Sequence, residues 1–314
     1  PGFGNINNTD IASMAVYGGK LYAGTLNWIG GCELWRYDGT TWTCLVGPGG
    51  LVGPGFGSGA ANWDTVGMAV YGNRLYFGTA GTVDCEVWRY DGTALTPVVG
   101  GGGAVPAGFG TSCSEARSMA ASGAYLYVGT DGVGGCQVWR FDGTTWSQVV
   151  GGQPTALIGP GFGNPQNTEV RSMAVYDSKL FMGVTNAVTG CEVWRFDGTT
   201  FTPVAGGGAA TGPGFGNPNN WQISPLTVYD SRLFAGTGSW VMGQGGELWS
   251  YDGTTWTPHV SSAPGAQTGP GFGDVNNIEI DSLATYNGRL YAGTSDWAFA
   301  AGSGCQVWSN KFST

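Results

Sequence analysis

A glycine-rich string recurs six times along this chain at nearly constant spacing. Residues 1–8 read PGFGNINN, 160–167 PGFGNPQN, 213–220 PGFGNPNN and 270–277 PGFGDVNN, with looser copies at 54–59 (PGFGSG) and 107–112 (AGFGTS). The embedded phenylalanines are Phe3, Phe56, Phe109, Phe162, Phe215 and Phe272, giving four spacings of 53 and one of 57. A period near 50 confines the chain to propellers or solenoids.

Within each unit four short runs follow in the same order. In the first they are IASMAVY (11–17), KLYAGT (20–25), CELWRYD (32–38) and TWTCLV (41–46). Each is rich in β-branched, aromatic or small residues and is bounded by turn signals. YGGK, YGNR, YDSK, YDSR and YNGR join first to second runs as two-residue turns that accept positive φ, and YDGT or FDGT joins third to fourth. A solenoid would not need these hairpins. A four-stranded meander repeated six times predicts an all-β, six-bladed β-propeller. Its repeats span approximately 1–52, 53–106, 107–158, 159–211, 212–268 and 269–314, in a single domain.

The sixth unit carries CQVWS at 305–309 without the hairpin and fourth strand of its siblings. The expectation is a last blade lacking its outer strand, completed by a segment upstream of Pro1 or left with an open edge for self-assembly.

With 60 Gly, 14 Trp and only 11% charged residues, the composition is that of a turn-rich β protein and not of a disordered chain. A net charge of −9 with three lysines argues against nucleic acid or anionic membrane as partner, and no apolar run is long enough for a membrane span. Seven cysteines beside few lysines point to an extracellular or cell-surface protein.

A meander places the PGFG connections on the same side as the loops between second and third strands. Nine of the fourteen tryptophans belong to the repeat. The other five, Trp28, Trp63, Trp221, Trp240 and Trp297, fall in those loops, where the fold does not demand them. Tryptophan beside amide or carboxylate suits sugars, because the ring stacks on a pyranose face while polar groups bond its hydroxyls. Asn27, Asn62, Asn220 and Asp296 are the expected polar partners. Where each PGFG loop ends stand Asp10, Asp64, Glu115, Glu169, Gln222 and Glu279. The five carboxylates would ring the mouth of a channel, held by Arg117 and Arg171 two residues further on or recruiting a cation such as Ca2+; no other cofactor is expected.

Five cysteines share one repeat position (Cys32, Cys85, Cys136, Cys191 and Cys305). Across its hairpin Cys44 falls nearly opposite Cys32, which predicts a Cys32–Cys44 disulfide, and Cys113 is within reach of Cys85 or Cys136. The lone His259, at the end of an outer strand, leaves no Ser–His–Asp arrangement or zinc site to build. The turn carboxylates Asp38, Asp91, Asp142, Asp197 and Asp252 recur in every complete blade, so they read as fold chemistry. A non-enzymatic protein is expected on these grounds.

The hairpin WRYDGTTW is similar to the Asp-box hairpin of sialidase-type propellers, but its Asp, Gly and Trp lie one residue closer together, and that family is not carried over. The whole array resembles secreted repeat propellers that include tachylectin- and tectonin-like lectins and kelch-like surface proteins. That resemblance implies a lectin-like, glycan-binding propeller, with a structural or adhesion module contacting a surface protein as the alternative.

Overall fold

The computed structural model describes residues 1–82, 84–111, 113–296 and 304–310. The chain divides into two compact units, Pro1–Ala156 and Leu157–Thr314, so the cut falls at the end of the third repeat. No described residue is in an α-helix; the helical segments are 3-10 turns of three or four residues. No helix is long and apolar enough to cross a membrane.

In the first unit, blade one is β1 (Asp10–Tyr17), β2 (Lys20–Leu26), β3 (Leu34–Tyr37) and β4 (Trp42–Val46). Blade two is β5 (Asn62–Tyr71), β6 (Arg74–Gly81), β7 (Val87–Tyr90) and β8 (Leu95–Val99), and blade three is β9 (Ser118–Ser122), β10 (Tyr125–Gly129), β11 (Val138–Phe141) and β12 (Trp146–Val150). The second unit repeats the plan. Blade four is β13 (Glu169–Tyr176), β14 (Lys179–Thr185), β15 (Glu192–Phe196) and β16 (Phe201–Ala205). Blade five is β17 (Asn220–Tyr229), β18 (Arg232–Ser239), β19 (Leu248–Tyr251) and β20 (Trp256–Val260). Blade six has three strands among the described residues, β21 (Asn277–Tyr286), β22 (Arg289–Asp296) and β23 (Val307–Asn310). Every blade is an antiparallel meander.

Local chemistry accounts for these elements. The first hairpin of five blades turns through two positive-φ residues, such as Asp230 (47°) and Ser231 (56°), whose handedness matches the strand twist; in blade three only Gly123 is so. The second hairpin is held by its aspartate. Asp38 Oδ1 accepts the backbone N–H groups of Thr40 and Thr41 at 2.9 and 2.8 Å and the Thr40 hydroxyl at 2.7 Å. Asp91, Asp142, Asp197 and Asp252 do the same. The donors hold all five carboxyls well below the usual carboxylate range.

The PGFG loop is a 3-10 turn whose Phe adopts a left-handed backbone in all six copies, with φ from 54° to 60°. Such a conformation costs about 1–3 kcal/mol outside glycine. The ring offsets it by landing on the third-strand tryptophan of its own blade: Phe162 stacks on Trp194 at 4.9 Å and 16°. Beneath the ring lies a polar clamp. Asn167 donates to the carbonyl of Gly161 at 2.9 Å and to Glu192 Oε2 at 2.8 Å, and the Trp194 indole donates to the same oxygen at 2.8 Å. Asn8–Glu33–Trp35, Asn62–Glu86–Trp88, Asn220–Glu247–Trp249 and Asn277–Gln306–Trp308 repeat this pattern.

The core lies where successive blades pack face to face. Tyr22, Leu34 and Val46 meet Leu75, Phe77, Trp88 and Tyr90, and in the second unit Phe181 and Val193 meet Ile223, Leu233 and Trp249. First strands of neighbouring blades approach closely: Ser172 Oγ donates to the Ile223 carbonyl at 2.9 Å, and Ser13 to that of Thr65. A Cβ on Gly78 of β6 would collide with the Ala116 carbonyl of the next blade, which is why that strand carries glycine there.

The expected Cys32–Cys44 disulfide does not form; both thiols are free. A bulge between Leu34 and Trp35 sets Cys44 opposite Trp35, and Cys32 precedes the strand. Burial pushes the Cys32 thiol up to about 12. Of the two alternatives for Cys113, the bridge is to Cys85 (Cα–Cα 5.7 Å), and Cys136 is buried outside that bridge. His259 is buried, with Nε2 2.8 Å from Ser250 Oγ.

Candidate active site

At three of the carboxylate positions the chain at or just before the inner strand reaches past its own blade. Asp64 sits opposite Ala80 of β6 and also opposite Leu26 of β2, and Glu115 bridges to Ala80. Glu279 likewise faces Ser295 of β22 and Gly238 of β18. Bulges flank these positions, between Asn62 and Asp64 and between Asn277 and Glu279, and such irregularities re-aim side chains. The carboxylate positions of the sequence pattern therefore occupy seams between blades.

In the first unit Asp64 is the most enclosed of them, at 5% exposure, while Asp10 is exposed and Glu115 half-buried. Arg117 Nη1 lies 3.2 Å from Glu115 Oε2. Asp131 fixes the backbone there by accepting the N–H groups of Ser114 and Glu115, each at 2.9 Å. Asp64 Oδ1 is buried without a hydrogen-bond partner. Burial raises the Asp64 carboxyl to about 7; the Glu115 and Asp10 charges add to the rise, and Arg117 opposes it. One carboxyl is thus protonatable near neutrality beside another paired with arginine. That division of roles lets two carboxylates act as acid and as ionised partner.

The second unit treats the same positions differently. Arg171 lies 3.6 Å from both Glu169 and Glu279, and its Nε donates to Ser224 at 3.2 Å. Ser224 and Gln222 in turn donate to Glu279. One arginine and two neutral donors there serve two carboxylates, and Gln222 stands where the first unit has a carboxylate. Among the described residues no three His, Cys, Asp or Glu side chains converge to hold a metal ion. At Glu115, Glu169 and Glu279 arginine supplies the positive charge for which a cation was the alternative.

Of the tryptophans expected in loops, Trp63 and Trp221 lie instead on the inner strands β5 and β17, whose pairing starts earlier than the sequence runs suggested, and each meets a loop tryptophan. Trp28, 57% exposed, lies against Trp63 with ring centroids 4.6 Å apart, and Trp240, 58% exposed, stacks on Trp221 at 5.6 Å and 15°. Trp297 lies outside the described residues. The polar partners expected beside them are elsewhere engaged: Asn27, Asn62 and Asn220 are fully buried, so they do not face a ligand. Asn62 and Asn220 serve the blade clamps, and Asn27 donates to Asn8 at 2.8 Å while capping the amides of Ile29 and Gly30. Asp296 is half-buried at the end of β22.

Sequence reasoning missed the buried clamp carboxylates Glu33, Glu86, Glu192 and Glu247, and also Asp131. The signal for the former was present: an Asn two residues before the inner-strand carboxylate recurs with a Glu two residues before the third-strand Trp. Asp131 has no counterpart in the other repeats and left no such trace.

No protein-family model and no curated protein sequence matches the chain. Solved structures do. A Trypanosoma rangeli sialidase in complex with sialic acid matches at 11% identity, covering 98% of this chain and 55% of that one, with a TM-score of 0.52. The same enzyme with 2,3-difluorosialic acid, a covalent intermediate, matches at 11% identity over 95% of this chain and 53% of that one, with a TM-score of 0.53. The chain spans about half the length of these sialidases. The likeness shows the fold, a six-bladed β-propeller. It also corrects the functional expectation: the propellers matched are sialidases, not lectins or kelch-like proteins, so neither the non-catalytic lectin or adhesion reading nor the exclusion of an enzyme stands.

Proposed function

We propose that this chain acts on glycans as a glycoside hydrolase-type propeller, with Asp64 as proton donor and Glu115 as its ionised partner. The observation that carries the reading is a buried carboxyl raised to about 7 beside the Glu115–Arg117 pair. Hydrolysis of a glycosidic bond needs a carboxylic acid to protonate the departing oxygen and a carboxylate to meet positive charge at the anomeric carbon or to activate water. Desolvation keeps a proton on Asp64 close to neutral pH, while Glu115 is ion-paired with Arg117. The sialidase likeness supports a sugar substrate. The exposed faces of Trp28 and Trp240 supply flat surfaces on which pyranose rings stack. The Cys85–Cys113 disulfide suits an oxidising, extracellular setting.

The test is turnover of a panel of 4-methylumbelliferyl glycosides, sialosides and arabinosides included, by the native chain, Asp64→Asn and Glu115→Gln. Native turnover should decline above pH ~7 as Asp64 ionises, and Asp64→Asn should lose at least ~100-fold. A panel with no turnover, or turnover that survives Asp64→Asn, overturns the proposal.

A further inference from the structure

Positive charge in the first unit is placed away from the Asp64 site. Asp64 pairs with Ala80 on one edge of β6 and Glu115 pairs with Ala80 on the other; Asp10 and Asp64 flank Leu26 of β2 in the same way. Asp10, Asp64 and Glu115 thus stand in a row, each two strand spacings, about 10 Å, from the next. Asp131 adds a further carboxylate, held against the backbone of Ser114 and Glu115. Arg117 lies among them already paired with Glu115 at 3.2 Å. Its attraction at Asp64 is opposed by the repulsion of Glu115 and Asp10.

Every other lysine and arginine among the described residues of this unit stands at one of two repeat positions. Arg36, Arg89 and Arg140 lie on third strands, opposite Tyr22, Tyr76 and Tyr127. Lys20 and Arg74 lie at first hairpins, opposite Tyr17 and Tyr71. Along β6, Tyr76 is four residues from Ala80 and Arg74 is six. At the rise of a strand these steps are about 13 and about 20 Å. Arg36 and Arg140 are also engaged locally, with the Tyr90 hydroxyl at 3.4 Å and with Ser147 at 3.1 Å. In the second unit Arg171 is committed to Glu169, Glu279 and Ser224.

We infer that the Asp64 site takes uncharged glycosides and rejects sugars that carry a carboxylate, sialosides included, although sialic acid is the ligand of a structure the chain resembles. This rests on the glycosidase reading above and narrows its substrate. A sugar carboxylate needs a cation or several converging donors to replace the water it loses on binding. Here it would have to take Arg117 from Glu115 or enter unpaired among like charges, and either is costly. A neutral ring meets neither cost. Its hydroxyls can donate to carboxylates, and Trp63, the residue before Asp64, forms with Trp28 an aromatic surface for stacking.

The experiment measures kcat/KM of the intact chain on matched 4-methylumbelliferyl pairs that differ only in oxidation at C6, glucoside with glucuronide and galactoside with galacturonide, and on the arabinoside and sialoside. Each is run in about 0.01 M and about 1 M NaCl, which shortens the Debye length from about 30 to about 3 Å. The best neutral substrate should exceed every acidic one by at least ~10-fold in dilute salt, and any measurable gap within a pair should narrow in concentrated salt. An acidic substrate turned over as well as the neutral ones, or a measurable gap that salt leaves unchanged, overturns the inference and leaves the glycosidase reading standing. Absence of turnover on every substrate removes that reading and this inference together.

Discussion

At the residue scale the same pattern position has been given opposite electrostatics. Glu279 receives Gln222, Ser224 and Arg171, whereas Asp64, at the corresponding position of blade two, has an unpartnered Oδ1 and no arginine in bonding contact. A buried carboxyl left in that state costs stability once ionised. Because its folded pKa is raised from 3.8 to about 7, the folded state holds the proton more tightly than the unfolded chain across that window. Stability therefore declines as pH rises from about 4 to 7 and stays low above it. Asp64→Asn, which removes the charge, should stabilise the protein at pH 8 by on the order of 3 kcal/mol and leave it nearly unchanged at pH 4. Urea unfolding at the two pH values checks this; an equal effect at both would assign the gain to something other than ionisation. The same variant is expected to be inactive, so stability and activity would move in opposite directions, as at many functional sites.

At the scale of the element, the repeat explains where the disulfide falls. In five blades the clamp Asn stands two residues before the inner-strand carboxylate position, which holds Gln222 in blade five, and Cys113 takes the place of that Asn in blade three. The backbone marks the equivalence: Cys32 N–H donates to the Asn62 carbonyl at 2.9 Å, Cys191 to Asn220 at 2.7 Å and Cys85 to Cys113 at 2.7 Å. Blade three also has the neutral Gln137 where blades one, two, four and five have a clamp glutamate, and Gln137 accepts from Trp139, Gln148 and Thr111. A cysteine cannot donate as the Asn did, so a charged glutamate there would be short of hydrogen bonds. The double substitution Asn220→Cys with Glu247→Gln should therefore form a second disulfide, with Cys191. Thiol counting after denaturation should read two fewer free thiols than the seven-cysteine chain plus one would otherwise give; retention of both would show that the backbone equivalence does not extend to the side chains.

Across the whole molecule, charge is sparse and mostly acidic, with net −9 and a sequence pI near 4.4. Folding redistributes it. The five hairpin aspartates hold their charge to lower pH than an ordinary carboxylate, Asp91 and Asp197 to about 2, and burial lowers His259 to about 4, so that it stays neutral where a free histidine would be cationic. Asp64 moves in the opposite direction, upward. The native protein should therefore focus at a lower pH than the urea-unfolded chain, and the two positions on native and denaturing focusing gels test the balance. A native position above the unfolded one would contradict it.

The sequence by itself determined the period, the order of strands and the hairpin chemistry, because these depend on neighbours within a few residues: Asp38 needs only Thr40 and Thr41, and Asp230–Ser231 only their own backbone. It also located the carboxylates at the loop ends. Only the tertiary structure decided what those groups do. Asn62 and Asn220 look like ligand-binding amides beside Trp63 and Trp221, yet they are buried in blade clamps with Glu86 and Glu247, more than twenty residues away. Cys113 could reach either of two cysteines until the backbone pairing with Cys85 chose one. Asp64 and Glu279 occupy one motif position and are both buried, yet they differ in partners, which are set by how adjacent blades approach. Local pattern carries hydrogen bonds between near neighbours; ionisation state and side-chain partnership depend on distance and burial across blades, and no single repeat contains them.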